Sequence, residues 1–199
     1  MKDPKTLLHM VGADMTPCAI GNSALIFIDC QMEYVDGPLA LPDVESALKE
    51  CTEVLQRGRK ANAPIFHIVH RGKAGGAFDL DAPRGKIAPE VAPVDGEQII
   101  EKSLPNAFSG TNLDDLLKRT GKTELIVVGF MTHMCVSSTV RAALDLGYRS
   151  TVVGAASATR DLPLPMGGII NAKDLHNSSL AALSDRFAVI ALSASDLPD

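Results

Sequence analysis

Aromatic side chains are the scarcest feature of this sequence, at 4% of its residues, and Trp is absent. The core must therefore be built from Val, Ile, Leu and Ala, a composition that suits buried parallel strands covered by helices. A hydrophobic fraction of 46% with 22% charged residues is that of an ordinary globular protein, which excludes a disordered chain. The length of 199 residues suits one domain and leaves little room for a second.

Clustered positive charge and long apolar runs are also lacking. The formal net charge is −5 at pH 7, the isoelectric point is near 5.5, and no block of like charges stands out. We therefore expect no nucleic-acid surface. No apolar run reaches the roughly 20 residues that a membrane-spanning helix needs, so no membrane partner is expected. The first residues lack the basic and then apolar pattern of a signal peptide, and we expect a cytoplasmic protein.

Cysteine pairs with a recognisable spacing are missing as well. The four cysteines show neither C-x-x-C pairing nor the spacing of zinc ligands, and they are Cys18, Cys30, Cys51 and Cys135. In a reducing cytosol, a cysteine in suggestive surroundings is more often catalytic than bridged. These absences together direct the search for function to a pocket that binds a small molecule.

What is present, from Ser23 onward, is an alternation of short apolar runs and helical patterns. The predicted strands cover residues 24–29, 64–70, 99–102, 124–130, 151–154 and 187–192, and the predicted helices cover 43–62, 112–119, 133–146 and 174–184. This alternation predicts a single-domain three-layer α/β/α sandwich with a mostly parallel, roughly six-stranded, Rossmann-like sheet.

Two segments fall outside the alternation. Residues 1–22 lack clear periodicity and are predicted to form an amino-terminal arm that lies over the domain of residues 23–199 or over a neighbouring subunit. Residues 71–96 are rich in Gly, Pro and Asp and are predicted to form a long loop. In a compact domain such a loop usually closes over a site.

Three chemically useful side chains follow strands at the same edge of the predicted sheet. Asp29 ends the first strand, Lys102 ends the third, and Cys135 lies shortly after the central strand. Because ligands of open parallel sheets bind outside the carboxyl ends of the strands, we expect the three to meet there. Each has a plainer interpretation alone: a turn residue for Asp29, a surface charge for Lys102, and a small buried apolar residue for Cys135. Their convergence on one edge favours a site.

Such a trio has a coherent chemistry. A helix amino terminus and a nearby lysine ammonium are expected to stabilise a Cys135 thiolate and lower its pKa. Asp29 is placed to accept the thiol proton and to pass it later to a leaving amine. The turn before Cys135 offers backbone N–H groups for a developing oxyanion.

Three segments resemble the isochorismatase-like cysteine hydrolases, which include nicotinamidases and N-carbamoylsarcosine amidases. They read LIFIDCQMEY at 25–34, EKSLPNAFSGTNLDDLL at 101–117 and IVVGFMTHMCVSST at 126–139, in the order that the family has them. The resemblance covers nearly everything from residue 24 to residue 192. It implies that Asp29, Lys102 and Cys135 are the catalytic residues and that Cys135 forms a covalent intermediate. It also implies an oxyanion hole made by the backbone amides of Met131 and Cys135, with a cis peptide before Met131.

The resemblance suggests further residues of the substrate pocket. Phe108 resembles a position that often lines the pocket, although an interpretation as a plain core aromatic is equally good. Phe130 adjoins the implied oxyanion hole. His70, at the end of the second strand, is a further candidate.

Residues next to the nucleophile add to this list. His133 is a candidate at the pocket rim, with a capping or solvent-facing role as the alternative. Thr132 is a pocket candidate that is also expected to hold the turn through its hydroxyl. His176, near the start of the last predicted helix, is expected to be structural.

The sequence departs from the metal-binding members of this family. Nicotinamidases that bind metal carry an Asp-x-His pattern and another His after the second strand, whereas this chain reads HIVHRG at 67–72. His67 and His70 point to opposite faces of a strand and cannot face the same ion. We therefore expect no metal and no cofactor.

The implied activity is hydrolysis of a C–N bond in a small amide, ureido or carbamoyl compound. One alternative is hydrolysis of the vinyl ether of isochorismate, whose enzymes typically lack the cysteine, so that Cys135 argues against it. A second alternative is a non-enzymatic module that binds a small ligand or carries out thiol redox chemistry. By resemblance, the chain is also expected to form a homo-oligomer, either a dimer or a tetramer.

Overall fold

The fold is known from a computed structural model, which describes residues 3–199. Its strands are β1 (Ser23–Ile28), β2 (Ile65–His70), β3 (Gln98–Lys102), β4 (Glu124–Phe130), β5 (Arg149–Ala158), β6 (Leu162–Pro163), β7 (Ile169–Ile170) and β8 (Val189–Ala191). Its α-helices are α1 (Leu7–Met10), α2 (Val44–Lys60), α3 (Leu113–Thr120), α4 (Ser137–Asp145) and α5 (Ala172–Arg186).

Six of the strands form one parallel sheet in the order β3-β2-β1-β4-β5-β8. The chain starts at the centre with β1, runs outward to β3, and then returns to place β4 on the other side of β1. The direction of winding therefore reverses between β1 and β4, which is where open parallel sheets bind their ligands. The predicted three-layer sandwich with a six-stranded parallel sheet is confirmed.

Strand β1 shows why these residues form a central strand. All six of its residues are buried, as expected for a strand covered by helices on both faces. Leu25 and Phe27 pack into the core on the side of α2, whereas Ile26 and Ile28 pack into the core formed with α3 and α4. The alternation follows from the two-residue period of a strand.

Helix α1 and the strands β6 and β7 were not predicted, and two of the predicted elements differ clearly from the structure. The helix predicted over 133–146 is divided into a wide π-helical turn, Thr132–Val136, and helix α4. Strand β5 has ten residues where a strand over 151–154 was predicted, because its second half is made of small residues that carry no hydrophobic signal. The extra length matters, since the last residues of β5 contact the turn that holds Cys135.

The amino-terminal arm packs against the body through its short helix. The backbone N–H of Leu7 donates a hydrogen bond of 2.8 Å to the carboxylate of Asp185 near the end of α5. The boundary between arm and domain stays a prediction. Within residues 3–199, the structure contains no helix with the length and hydrophobicity needed to cross a bilayer.

We predict that the end of β4 tolerates no side chain at Gly129. Its φ is 110°, and an added Cβ would lie 2.1 Å from the carbonyl oxygen of Ile28 on the neighbouring strand. Gly129→Ala should lower the free energy of unfolding, measured by urea denaturation, by at least about 3 kcal/mol. Gly147→Ala is the control, because Gly147 has a φ of 88° but open space around it. There the loss should be about 1 kcal/mol, from backbone strain alone. Equal losses would contradict the steric argument.

Candidate active site

Three side chains meet in a buried cluster at the carboxyl edge of the sheet. Lys102 Nζ lies 2.7 Å from Asp29 Oδ2 and 3.4 Å from Cys135 Sγ. The relative exposures are 0% for Asp29, 3% for Lys102 and 4% for Cys135. The fold thus brings together the residues that the sequence predicted to meet, across separations of 73 and 33 positions.

The sheet topology explains how each side chain reaches the cluster. Asp29 directly follows β1 and has a φ of 49°, in the left-handed region that Asp adopts more readily than most residues. Lys102 is the last residue of β3 and lies in register with His70 of β2. Its long side chain crosses the end of β2 to reach Asp29, which is why an edge strand contributes to a central site.

Burial dominates the acid–base properties of the cluster. It raises the pKa of Asp29, against the lowering effect of the Lys102 ammonium. Burial and then the Asp29 carboxylate raise the pKa of the Cys135 thiol to about 12, and Lys102 only partly opposes this. The expectation of a lowered thiol pKa is therefore wrong for the free protein. The physical reason is that desolvation penalises the thiolate more than the adjacent lysine favours it.

One oxygen of Asp29 is left available to receive a proton. Oδ2 accepts from Lys102, whereas Oδ1 is buried and has no hydrogen-bond partner among residues 3–199. A carboxylate with a raised pKa is a stronger base than a free one, which favours its role as the acceptor of the thiol proton. The arrangement favours transfer of the thiol proton to Asp29 during attack on a substrate over a standing thiolate.

The turn that carries Cys135 has an unusual backbone. The peptide between Phe130 and Met131 is cis, as the family resemblance implies. The Met131 carbonyl accepts hydrogen bonds from the backbone N–H groups of Met134 and Val136. Across residues 3–199, the structure records no protein acceptor for the Met131 N–H itself. This donor is therefore available to a ligand.

Side chains fasten the turn to its surroundings. The Thr132 hydroxyl lies 3.1 Å from the Ala158 carbonyl oxygen at the end of β5 and 2.8 Å from His176 Nδ1 on α5. His133 Nδ1 forms a hydrogen bond with the hydroxyl of Thr159. Thr132 is fully buried, so its role is to hold the turn, whereas His133 is only partly buried.

Aromatic rings form a wall beside the cluster. Tyr34 meets Phe78 edge to face at 5.0 Å between ring centroids and Phe130 at 5.9 Å, and His70 meets Phe78 at 5.3 Å. Burial, followed by the charge of Lys102, lowers the pKa of His70, which places this predicted pocket residue close to the lysine. Phe78 comes from the long loop of residues 71–96, which therefore does reach the site.

Sequence reasoning missed three residues here: Tyr34, Phe78 and Arg160. The Nε of Arg160 is buried and has no hydrogen-bond partner within the part of the chain that the structure describes. After burial, the charge of Arg160 is what lowers the pKa of His133, so the guanidinium lies near the pocket rim. Tyr34 lies within the motif LIFIDCQMEY, so the motif could have identified it as a site residue. Nothing in the sequence singles out Phe78.

The structure does not bring Phe108 to the cluster. Its ring stacks on Tyr148 at 6.0 Å, and Tyr148 directly precedes β5, at the opposite edge of the sheet from Cys135. Phe108 packs against the core there, because the backbone N–H of Ala107 is tied to the Thr139 hydroxyl inside α4. The stacking on Tyr148 favours the interpretation of Phe108 as a core aromatic, and its role in the pocket stays a prediction.

The two histidines of β2 have different surroundings. His67 is buried, stacks on Phe27 and lies 2.9 Å from a carboxylate oxygen of Glu97. His70 faces the cluster. Among residues 3–199, no group of three or more His, Cys, Asp or Glu side chains is arranged to hold a metal ion. Metal-free and cofactor-free catalysis stays a prediction.

Comparison with known proteins identifies the family of this chain. Residues 23–195 match the isochorismatase domain. The chain belongs to the isochorismatase family. A crystal structure of an isochorismatase from Pseudomonas putida KT2440 is 42% identical, with a TM-score of 0.94, over 98% of this chain and 100% of that one. This isochorismatase-family chain is accordingly a hydrolase.

Two curated relatives show the range of the family. A secreted isochorismatase effector of Verticillium dahliae is 33% identical over 182 residues, which are 91% of this chain and 93% of the relative. An N-carbamoylsarcosine amidase of Arthrobacter is 29% identical over 149 residues, which are 65% of this chain and 56% of the relative. The chain is thus similar to family members that carry different activities in their names.

We predict that Asp29→Asn moves thiol reactivity and turnover in opposite directions. Since the carboxylate raises the Cys135 pKa, its removal should lower that pKa and speed alkylation between about pH 7 and pH 10. Turnover should fall about 10³-fold, because the proton acceptor is lost. Iodoacetamide labelling followed by mass spectrometry measures the first quantity, and steady-state kinetics measures the second.

Lys102→Met is the matched control for charge, since the ammonium favours the thiolate. Alkylation of Cys135 should slow in this variant at every pH tested. In the wild type the rate should still be rising at about pH 10, given the thiol pKa of about 12. A wild-type rate that levels off near neutral pH would contradict the raised pKa. So would slower alkylation of Asp29→Asn.

Proposed function

We propose that this protein is a cysteine hydrolase that cleaves a C–N bond in a small amide, ureido or carbamoyl compound through a covalent Cys135 intermediate. The observation that carries the proposal is the buried contact of Lys102 with both Asp29 and Cys135 at 2.7 and 3.4 Å. A nucleophile, a base and a charge that couples them are the parts that acyl transfer needs. The near-complete burial of the thiol supports a small substrate.

The reaction follows from the positions of these groups. As Cys135 Sγ attacks the carbonyl carbon, its proton moves to Asp29, and the N–H groups of Met131 and Cys135 stabilise the oxyanion. Asp29 then gives the proton to the leaving nitrogen, the C–N bond breaks, and an amine or ammonia departs. Water attacks the acyl-enzyme and gives a proton to Asp29. As the S–C bond breaks, Asp29 passes this proton to the departing sulfur, which restores the thiol and releases the carboxylic acid product. Lys102 contacts both groups, so it balances the buried negative charge whenever Asp29 or the sulfur carries it.

Several side chains are proposed to bind the substrate. His70 and Phe130 belong to the aromatic wall next to the cluster, and His133 lies at the rim beside Arg160. Nε of Arg160 has no hydrogen-bond partner among residues 3–199, so this side chain can receive a polar or negatively charged group of the substrate. Thr132 is proposed to support the turn without touching the substrate.

A second candidate is hydrolysis of a vinyl ether such as that of isochorismate. It is favoured by the name of the Pseudomonas putida structure and of the Verticillium dahliae relative. The amide interpretation is supported by the name of the Arthrobacter relative and by the intact cysteine at the centre of the cluster. Vinyl-ether hydrolysis needs an acid but no nucleophilic thiol, and the burial of Cys135 beside a base would then serve no purpose.

We also propose that the chain acts as a cytoplasmic homo-oligomer. Apolar side chains of the β6–β7 hairpin lie open, with exposures of 99% for Met166 and 72% for Ile169, and a partner subunit would cover them. All four cysteines are free thiols, which suits a reducing compartment.

A panel of small amides, ureido acids, carbamoyl compounds and isochorismate tests the proposed activity. We expect at least one amide-type compound to yield ammonia or an amine with wild-type protein and none with Cys135→Ala. Acid quenching followed by mass spectrometry should find the acyl group on Cys135. Cys18→Ser is the matched control, since its buried thiol lies outside the cluster and the variant should keep the activity. Release of pyruvate from isochorismate without ammonia from any amide would overturn the proposal.

We predict that Asp29 and Lys102 act as one unit. Removing either disables the same proton transfer, so Asp29→Asn and Lys102→Ala should each lower kcat/KM by at least about 10³-fold, and the double variant should be little worse than the poorer single one. A double-mutant cycle on kcat/KM with the best compound of the panel measures this. Losses that multiply as for independent residues would contradict the unit.

A further inference from the structure

The Thr132 hydroxyl sits between two polar partners and has only one proton to share. Its oxygen lies 3.1 Å from the carbonyl oxygen of Ala158, which can only accept, and 2.8 Å from Nδ1 of His176. Both contacts are hydrogen bonds at the same time only when the hydroxyl donates to Ala158 and His176 donates an Nδ1–H to Thr132. In that arrangement the neutral form of His176 is the Nδ1–H tautomer.

We propose that His176 is a positioning residue that holds the oxyanion-binding turn in place through Thr132. Thr132 follows Met131, whose N–H is the proposed oxyanion donor. Its fully buried side chain ties the turn to β5 and α5 together. If the donor on α5 is lost, the Thr132 hydroxyl keeps its bond to Ala158, but the turn loses its tie to α5 and can shift. A small rotation aims the Met131 N–H away from the oxyanion, which weakens catalysis without changing the thiol or its base.

The helix that carries His176 is itself well anchored. Asn171 caps the amino end of α5, and its side-chain oxygen accepts from the backbone N–H of Asp174 at 2.8 Å. The backbone N–H of Ala172 donates to Asp161, on the segment that continues from β5. His176 is therefore fixed relative to the end of β5. Thr132 bonds to both, through Ala158 at the end of β5 and through His176 on α5.

His176 is also reachable from solvent. It lines a surface cavity of about 240 Å³ together with Ser46, Thr159 and Lys173. A variant that lacks the imidazole ring would enlarge this cavity, and free imidazole could then enter and supply the missing N–H. This allows chemical rescue as a test that a purely structural residue would not pass.

The test compares a substitution of His176 that keeps a hydrogen-bond donor with one that removes it. In His176→Asn the side-chain NH₂ takes the place of Nδ1–H and should preserve most of the activity. In His176→Ala the donor is lost, and kcat should fall at least about tenfold with KM within about twofold. Imidazole at millimolar concentration should restore part of that loss. Lys173→Ala, in the same cavity, should change neither constant and should not respond to imidazole.

Thr132 provides the second half of the test. Thr132→Val keeps the shape but loses the hydroxyl, and should lower kcat as His176→Ala does, whereas Thr132→Ser should keep it. The variant with both Thr132→Val and His176→Ala should be no worse than the poorer single one, because both remove the same link. The proposal is overturned if Asn is as poor as Ala at position 176, if KM rises instead, or if the two losses multiply.

The role of the turn in catalysis rests on the proposed function, so one measurement is made without substrate. In NMR spectra of ¹⁵N-labelled protein, His176 should show the Nδ1–H tautomer. The Met131 amide signal should shift in His176→Ala and stay in place in Lys173→Ala. An unmoved Met131 signal, or the other tautomer, overturns the positioning role even if amides are hydrolysed. Shifted signals without hydrolysis of any amide would locate the failure in the proposed function.

Discussion

The buried ion pair of Lys102 and Asp29 is the constraint on which the site depends. Moving two charges out of water costs several kcal/mol for each ion, so the pair persists only where geometry brings them into direct contact. The contact at 2.7 Å is possible because β1 and β3 lie two strands apart and end at the same edge. The order of the strands in the sheet is therefore what allows the ion pair to form.

Burial, which makes the pair costly, also sets its chemistry. It raises the pKa of Asp29 and that of Cys135, and Lys102 opposes both shifts. The positive charge of Lys102 alone does not keep Cys135 as a thiolate in the free protein, because burial and the Asp29 carboxylate raise the pKa of the thiol. It can stabilise whichever of the two neighbours carries the negative charge. In the mechanism that we propose, the proton passes between them as a bond to carbon forms, and the nucleophile is generated only when a substrate is present.

The turn after β4 carries Cys135 and positions it in the cluster. Gly129 allows β4 to approach Ile28 closely. In the wide turn that follows, the Met131 N–H has no acceptor in the part of the chain that the structure describes. Thr132 and His133 tie this turn to the last residues of β5 and to α5. The unexpected length of β5 therefore matters for the site, since its last residue, Ala158, accepts the hydrogen bond of Thr132.

The sequence by itself determined the strands, the parallel sheet and the three residues of the cluster, because buried runs and strand ends are local patterns and Asp29, Lys102 and Cys135 each follow one. Only the tertiary structure decided which neighbours surround them. It placed Phe108 against Tyr148 at the far edge, brought Phe78 in from a loop, and raised the thiol pKa that the lysine was expected to lower. Stacking partners and desolvation depend on residues distant in sequence, and no local pattern encodes how deeply a charge is buried.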